Sequence, residues 1–179
     1  MLKTTGASGL VLLLLAAVSG CGQQTVEATS TSADSTPSID KSKYVLSAEP
    51  DGAVGVMIAR EDFKNQDDIV LVGRIGGRKN PWIEGRSAFM LIDASMSVVA
   101  DGEDTDESQV CMDDCCASLR AECTTLVKIV DDQGKPLAID ARELLDVTEN
   151  DMVVVQGKVQ RDKDEGTFTV AASGVYVRR

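Results

Sequence analysis

Residues 153–160 constrain the fold of this chain more than any other stretch: Val153, Val155, Gly157 and Val159 alternate with Val154, Gln156, Lys158 and Gln160. Successive side chains of a strand point to opposite faces, so this period of two predicts a half-buried β-strand. Other segments carry the same signature more briefly. Ile69, Leu71, Gly73 and Ile75 share one face of an earlier strand, which Gly76-Gly77-Arg78-Lys79-Asn80-Pro81 ends with turn chemistry. A second strand is expected over Ser87 to Asp93, and a third over Thr124 to Val130, stopped by Asp131-Asp132-Gln133-Gly134. In the last strand Phe168, Val170 and Ala172 lie on one parity and Val175 and Val177 on the other. The register therefore changes at Ser173-Gly174, which predicts a bulge.

Two helices complete the pattern. Asp140 and Glu143 match a D-x-x-E capping pattern ahead of Leu144-Leu145. After Pro50, Val54, Met57 and Ile58 fall at i, i+3 and i+4 with Asp51 as N-cap, predicting an amphipathic helix over 51–64. Three strands, a short helix and two more strands follow it, with glycines inside the first and fourth strands where a small barrel must coil. This order predicts a mainly β fold, a small five-stranded OB-fold-like barrel with short helices. The strand pattern alone also fits another small barrel, such as an SH3-like one. The phrases Val72-Gly73-Arg74-Ile75-Gly76-Gly77, Gly85-Arg86-Ser87-Ala88-Phe89 and Val155-Gln156-Gly157-Lys158-Val159 resemble a group of uncharacterised bacterial lipoproteins with an OB-fold-like domain. The resemblance covers roughly residues 44–179 and implies the barrel without implying an activity.

The N-terminus is of another kind. Lys3, the apolar run Leu10 to Val18 and then Val18-Ser19-Gly20-Cys21 resemble a bacterial lipoprotein leader with its lipobox. The run is too short to span a bilayer and is followed by small residues, as in a removable signal peptide. Residues 1–20 are therefore expected to be cleaved, leaving a lipidated Cys21. Residues 21–43 are rich in Ser, Thr and small polar side chains with little to bury, and read as a disordered tether. The barrel domain is expected over 44–179, with a Cys-rich loop at 94–123.

Composition narrows the chemistry. The chain holds 18 Lys and Arg against 29 Asp and Glu, a net charge of −11. A field of that sign repels phosphate backbones, and three Phe, two Tyr and one Trp are too few for a base-stacking platform, so nucleic-acid binding is not expected. There is no histidine, which removes Ser-His-Asp and Cys-His catalysis and every His-containing metal site. No other catalytic motif stands out, and no enzymatic activity is expected.

Cys111, Cys115, Cys116 and Cys123 are spaced C-x3-C-C-x6-C within the long loop. In an oxidising compartment the leading expectation is disulfide stapling, with vicinal Cys115 and Cys116 each bridging to Cys111 or Cys123. Thiolate binding of Zn or Cu is the first alternative, although paired C-x2-C knuckles are absent. Thiol redox exchange is the second, without a C-x-x-C motif. The acidic run Asp101-Gly102-Glu103-Asp104-Thr105-Asp106-Glu107 lacks EF-hand spacing and reads mainly as a solvated loop. Against this acidic background Arg74, Arg78, Lys79 and Arg86 cluster around Trp82, in or beside the connection between the first two strands. That connection often helps form the ligand face of an OB-fold, so these five residues are the candidate ligand or partner face. The competing expectation makes Trp82 a plug at one end of the barrel.

Together these observations predict a membrane-anchored lipoprotein facing the periplasm or an equivalent space. Its barrel would be a non-enzymatic binding module for a protein or small ligand, with a disulfide-stapled loop and no cofactor. The alternative is a soft-metal or thiol redox protein built on the four cysteines.

Overall fold

A computed structural model describes residues 39–96, 116–162 and 167–179, which fall within one compact unit, Ser38–Arg179. The leader, Cys21, the acidic run 101–107, Cys111 and Cys115 lie outside the described residues. The described residues form five strands: β1 (Asp68–Ile75), β2 (Ala88–Asp93), β3 (Thr124–Ile129), β4 (Met152–Arg161) and β5 (Phe168–Arg178). They close into a barrel in the order β1-β2-β3-β5-β4, and β4 returns to β1 from Asp68↔Lys158 to Arg74↔Met152. Every pairing is antiparallel except β3 with β5. This is the OB-fold-like barrel that the strand order predicts.

The period of two places the core. β1 buries Ile69, Leu71, Gly73 and Ile75 while Val70, Val72 and Arg74 are half-exposed. β4 buries Val153, Val155, Gly157 and Val159, as its alternation requires, and also Val154. Ile69, Leu71, Ile75, Val153, Val155 and Val159 meet Phe89, Leu91, Val127, Ile129 and Val170 in one apolar cluster. The bulge falls where the parity changes: Gln156 faces Gly174 and Gly157 faces Ala172, which leaves Ser173 as the extra residue. Gly157 is needed there, because a Cβ would stand 2.2 Å from the Ala171 carbonyl oxygen.

The first helix departs from expectation. α1 spans Val56–Asp62 and begins at Gly55, not Asp51. Val54 is drawn into the sheet instead: its N–H donates to Val70 O and its carbonyl accepts from Val72 N, both at 2.9 Å. The helical face shifts accordingly, burying Val56 and Ala59 and leaving Met57 and Ile58 exposed. Gly55 has no side chain to cap the helix, and Asp93 at the end of β2 supplies one, its Oδ2 accepting from Met57 N at 3.0 Å. A Cβ on Gly55 would lie 2.6 Å from that oxygen.

A second short helix, α2 (Ala117–Glu122), precedes β3 and was not marked by any sequence signal. α3 (Ala141–Leu145) lies between β3 and β4. Asp140 caps it by accepting from Arg142 N at 2.9 Å, and Ala141, Leu144 and Leu145 are buried. Glu143 faces Lys41, at 3.7 Å. No helix among the described residues is long and apolar enough to cross a membrane.

Candidate anion-binding groove

The outward parity of β3, opposite core residues Val127 and Ile129, carries Thr124, Leu126 and Lys128. On β2 the partners of Leu126 and Lys128 are Met90 and Ala88. Over this sheet face lies a groove of about 840 Å³. Its cations come from three separate elements: Arg60 from the last turn of α1, Arg78 and Lys79 from the β1–β2 connection, and Arg120 from α2. No carboxylate is among the described residues that line it.

Arg60 is the anchor. One guanidinium nitrogen donates to the Thr124 carbonyl, and the group stands over the Phe168 ring at 5.5 Å from its centroid. Arg161 stacks on the same ring at 5.0 Å and donates to the carbonyls of Phe63 and Arg60. Burial, and then the neighbouring Arg161 charge, lower the pKa of Arg60 from its ordinary value, while Cys123 and Glu122 oppose the shift. A guanidinium has so much margin that it stays protonated. Its Nε is buried with no hydrogen-bond partner. The half-buried Arg60 thus keeps a buried donor without a hydrogen-bond partner among the described residues.

Several cations elsewhere are neutralised. Lys41, Lys43, Arg142, Lys158, Arg178 and Arg179 each pair with a carboxylate at 2.5–3.7 Å. Among the described residues no such pair involves Arg60, Arg78 or Lys79.

The residues singled out in the sequence divide. Arg78 and Lys79 line the groove. Arg74 does not: its Nη1 donates to Asn150 O at 2.9 Å and secures the turn before β4. Trp82 is half-buried against the core, 6.3 Å from the Phe89 ring, with the Arg142 guanidinium 5.5 Å from its centroid. Arg86 lines a smaller hollow beside the groove. Sequence reasoning missed Arg60 and Arg120 because nothing local links them to the β1–β2 connection. Lys128 was also passed over, although a cation on the outward parity of a strand is a legible signal.

The cysteines require a correction. Cys123, expected to bridge, is fully buried, packs against Ile92 and Met96, and forms no disulfide. Burial, reinforced by Asp93 and Glu122, pushes its thiol pKa up, against a smaller effect of Arg60. It caps the end of α2, where an apolar pocket takes the sulfur as a small hydrophobic group. No disulfide joins it to Cys116, and among the described residues no three Cys, Asp or Glu converge to hold a metal. The disulfide-stapled module read from the spacing is therefore overturned at Cys123, while Cys111 and Cys115 lie outside the described residues.

The closed order and the groove define a class: an OB-fold-like barrel with a cationic face across β2 and β3. No family model matches the chain and no curated protein is similar to it. Among solved structures it is similar to one described as an aspartyl-tRNA synthetase from Leishmania major, with 6% identity and a TM-score of 0.38, over 75% of this chain and 22% of that one. That likeness is too distant to bear on function.

Proposed function

We propose that the β2–β3 face of the barrel binds an anionic ligand, with Arg78 and Lys79 on the β1–β2 connection and Arg60 and Arg120 on the helices as its contacts. The observation that carries this reading is the gathering of four cations, and no carboxylate among the described residues, in one groove of a chain with a net charge of −11. Like charges gathered in a cleft raise the local potential that attracts an anion. The planar forks of three arginines suit carboxylate or phosphate oxygens. Because the surrounding chain repels anions at long range, binding is short-ranged and weakens with salt.

The test is titration calorimetry of the full chain with tripolyphosphate at low ionic strength. Replacing Arg78 and Lys79 together by Glu is expected to weaken binding about tenfold or more, since each charged hydrogen bond contributes about 1.5–3 kcal/mol. Both side chains are exposed, so the thermal midpoint should hold. Absence of binding by the native chain, or equal binding by the variant, overturns the reading.

The leader supports a separate proposal from sequence alone. A lipid on Cys21 would hold the barrel outside the cytoplasm on a bacterial membrane, and Cys21→Ser should move the protein into soluble fractions.

A further inference from the structure

The groove does not end at Leu126. A second hollow, of about 440 Å³, adjoins it and shares Ile83 and Leu126 with it. Its walls are mainly apolar, with Ala88 and Pro136 beside those two, and its cations are Arg86, Lys128 and Lys135. No carboxylate is among its described lining residues either. Glu84, the acid of the β1–β2 connection, is held by Arg142 at 3.0 Å. Arg86 and Lys128 make no ion pair with a described carboxylate, whereas the backbone of Lys135 is bound to Asp131. Groove and hollow therefore form one track along the outward stripe Thr124, Leu126 and Lys128, with positive charge at both ends and Ile83, 43% exposed, between them.

From this track we infer that the ligand is an acidic peptide segment carrying an apolar side chain, an inference that rests on the anion-binding reading above. Acidic residues would meet Arg78 and Lys79 at one end and Arg86 and Lys128 at the other. The apolar side chain would enter between Ile83 and Leu126. From Thr124 to Lys128 a strand advances about 13 Å, the span of about four extended peptide residues. A compact phosphate fills only one end of such a track. A single-stranded nucleic acid would carry the charge, but its bases need open rings to stack on. None is offered: the hollow has no aromatic residue, and Phe168 in the groove is 3% exposed beneath two guanidinium groups.

Fluorescence anisotropy on the full chain at low salt separates these cases. The probes are a labelled peptide alternating Asp and Leu, the same peptide with Ser for Leu, and oligo-dT of equal charge; tripolyphosphate is followed by calorimetry. The Leu peptide should bind tightest, about fivefold or more above the Ser peptide, as burying part of one large apolar side chain provides. Lys128→Glu, and independently Arg86→Glu, should weaken the Leu peptide about tenfold while leaving tripolyphosphate binding unchanged. Equal binding of the Leu and Ser peptides, or indifference to both substitutions, overturns the track while tripolyphosphate binding still upholds the groove. Tighter binding of oligo-dT than of the Leu peptide overturns it in favour of nucleic acid. Failure of tripolyphosphate as well marks the failure of the groove itself.

Discussion

Two clefts of comparable size mark this barrel, and they differ in how their charges are spent. The groove over β2 and β3, about 840 Å³, gathers Arg60, Arg78, Lys79 and Arg120 with no acid among its described lining residues. The cleft over β1, β4 and β5, about 680 Å³, holds Lys43 and Lys158, but Asp132 lies 2.8 Å from the first and Asp68 2.6 Å from the second. Size does not distinguish them; internal neutralisation does. A paired cation has little left to offer a ligand, and its partner repels incoming anions. The depth of the second cleft also has a structural origin, since Gly157 in its lining is the residue that lets β4 and β5 close at the bulge.

The largest expected effect tests that origin. Gly157→Val should destabilise the barrel by about 3 kcal/mol or more, because a side chain there meets the Ala171 backbone rather than a yielding neighbour. Chemical denaturation measures it. Tripolyphosphate affinity of the folded fraction should stay at the native level, since neither Gly157 nor Ala171 lines the groove. A variant as stable as the native chain would show that β4 and β5 do not approach so closely.

A smaller effect sharpens the groove side of the comparison. Asp93 is 6% exposed and binds α1 through Met57 N, and its own loop through Ser95 N and Oγ at 2.9 and 2.7 Å. As α1 carries Arg60, Asp93 positions a cation of the groove. Burial pushes its carboxyl pKa up, but the hydrogen bonds from Met57 and Ser95, with that from Val56 N, outweigh it and hold the value below the ordinary one. A lowered folded pKa stabilises at pH above the unfolded value of about 3.9, and the contribution disappears as pH falls through the folded value. Asp93→Ala should therefore cost about 2 kcal/mol at neutral pH, flatten the acid limb of stability against pH, and weaken tripolyphosphate binding. Unchanged binding in the folded variant would show that α1 keeps Arg60 in place without this cap.

What the sequence disclosed follows the range of the interactions. Alternation is local, so all five strands could be read, and the parity change at Ser173-Gly174 located the bulge. Asp140 could be read as a cap because its acceptor and the Arg142 N–H are two residues apart. The face of α1 could not, because Val54 answers to β1, a strand later in the chain. Cys123 misled for a related reason: four close cysteines suggest bridges, while burial against Ile92 and Met96 is settled only when β2 and β3 pair. The groove was half legible. Arg78 and Lys79 stand together in sequence, but only barrel closure brings Arg60 and Arg120 to them, and it takes Arg74 and Trp82 elsewhere.

The smallest effect is the one that decides whether pairing, and not position, separates the two clefts. Lys158 and Asp68 are exposed at 52% and 87%, where water screens the pair and its net contribution to stability is about 0.5 kcal/mol. Lys158→Gln should therefore leave the denaturation midpoint almost unmoved, and tripolyphosphate binding with it, since this cation was already committed to Asp68. Removing the acid instead, as Asp68→Asn, releases the lysine, and a second, weak, salt-sensitive anion site should emerge in calorimetry. If Asp68→Asn creates no such site, charge pairing is not what silences this cleft, and the shape of the β2–β3 face must contribute more to anion binding than the charge of its cations does.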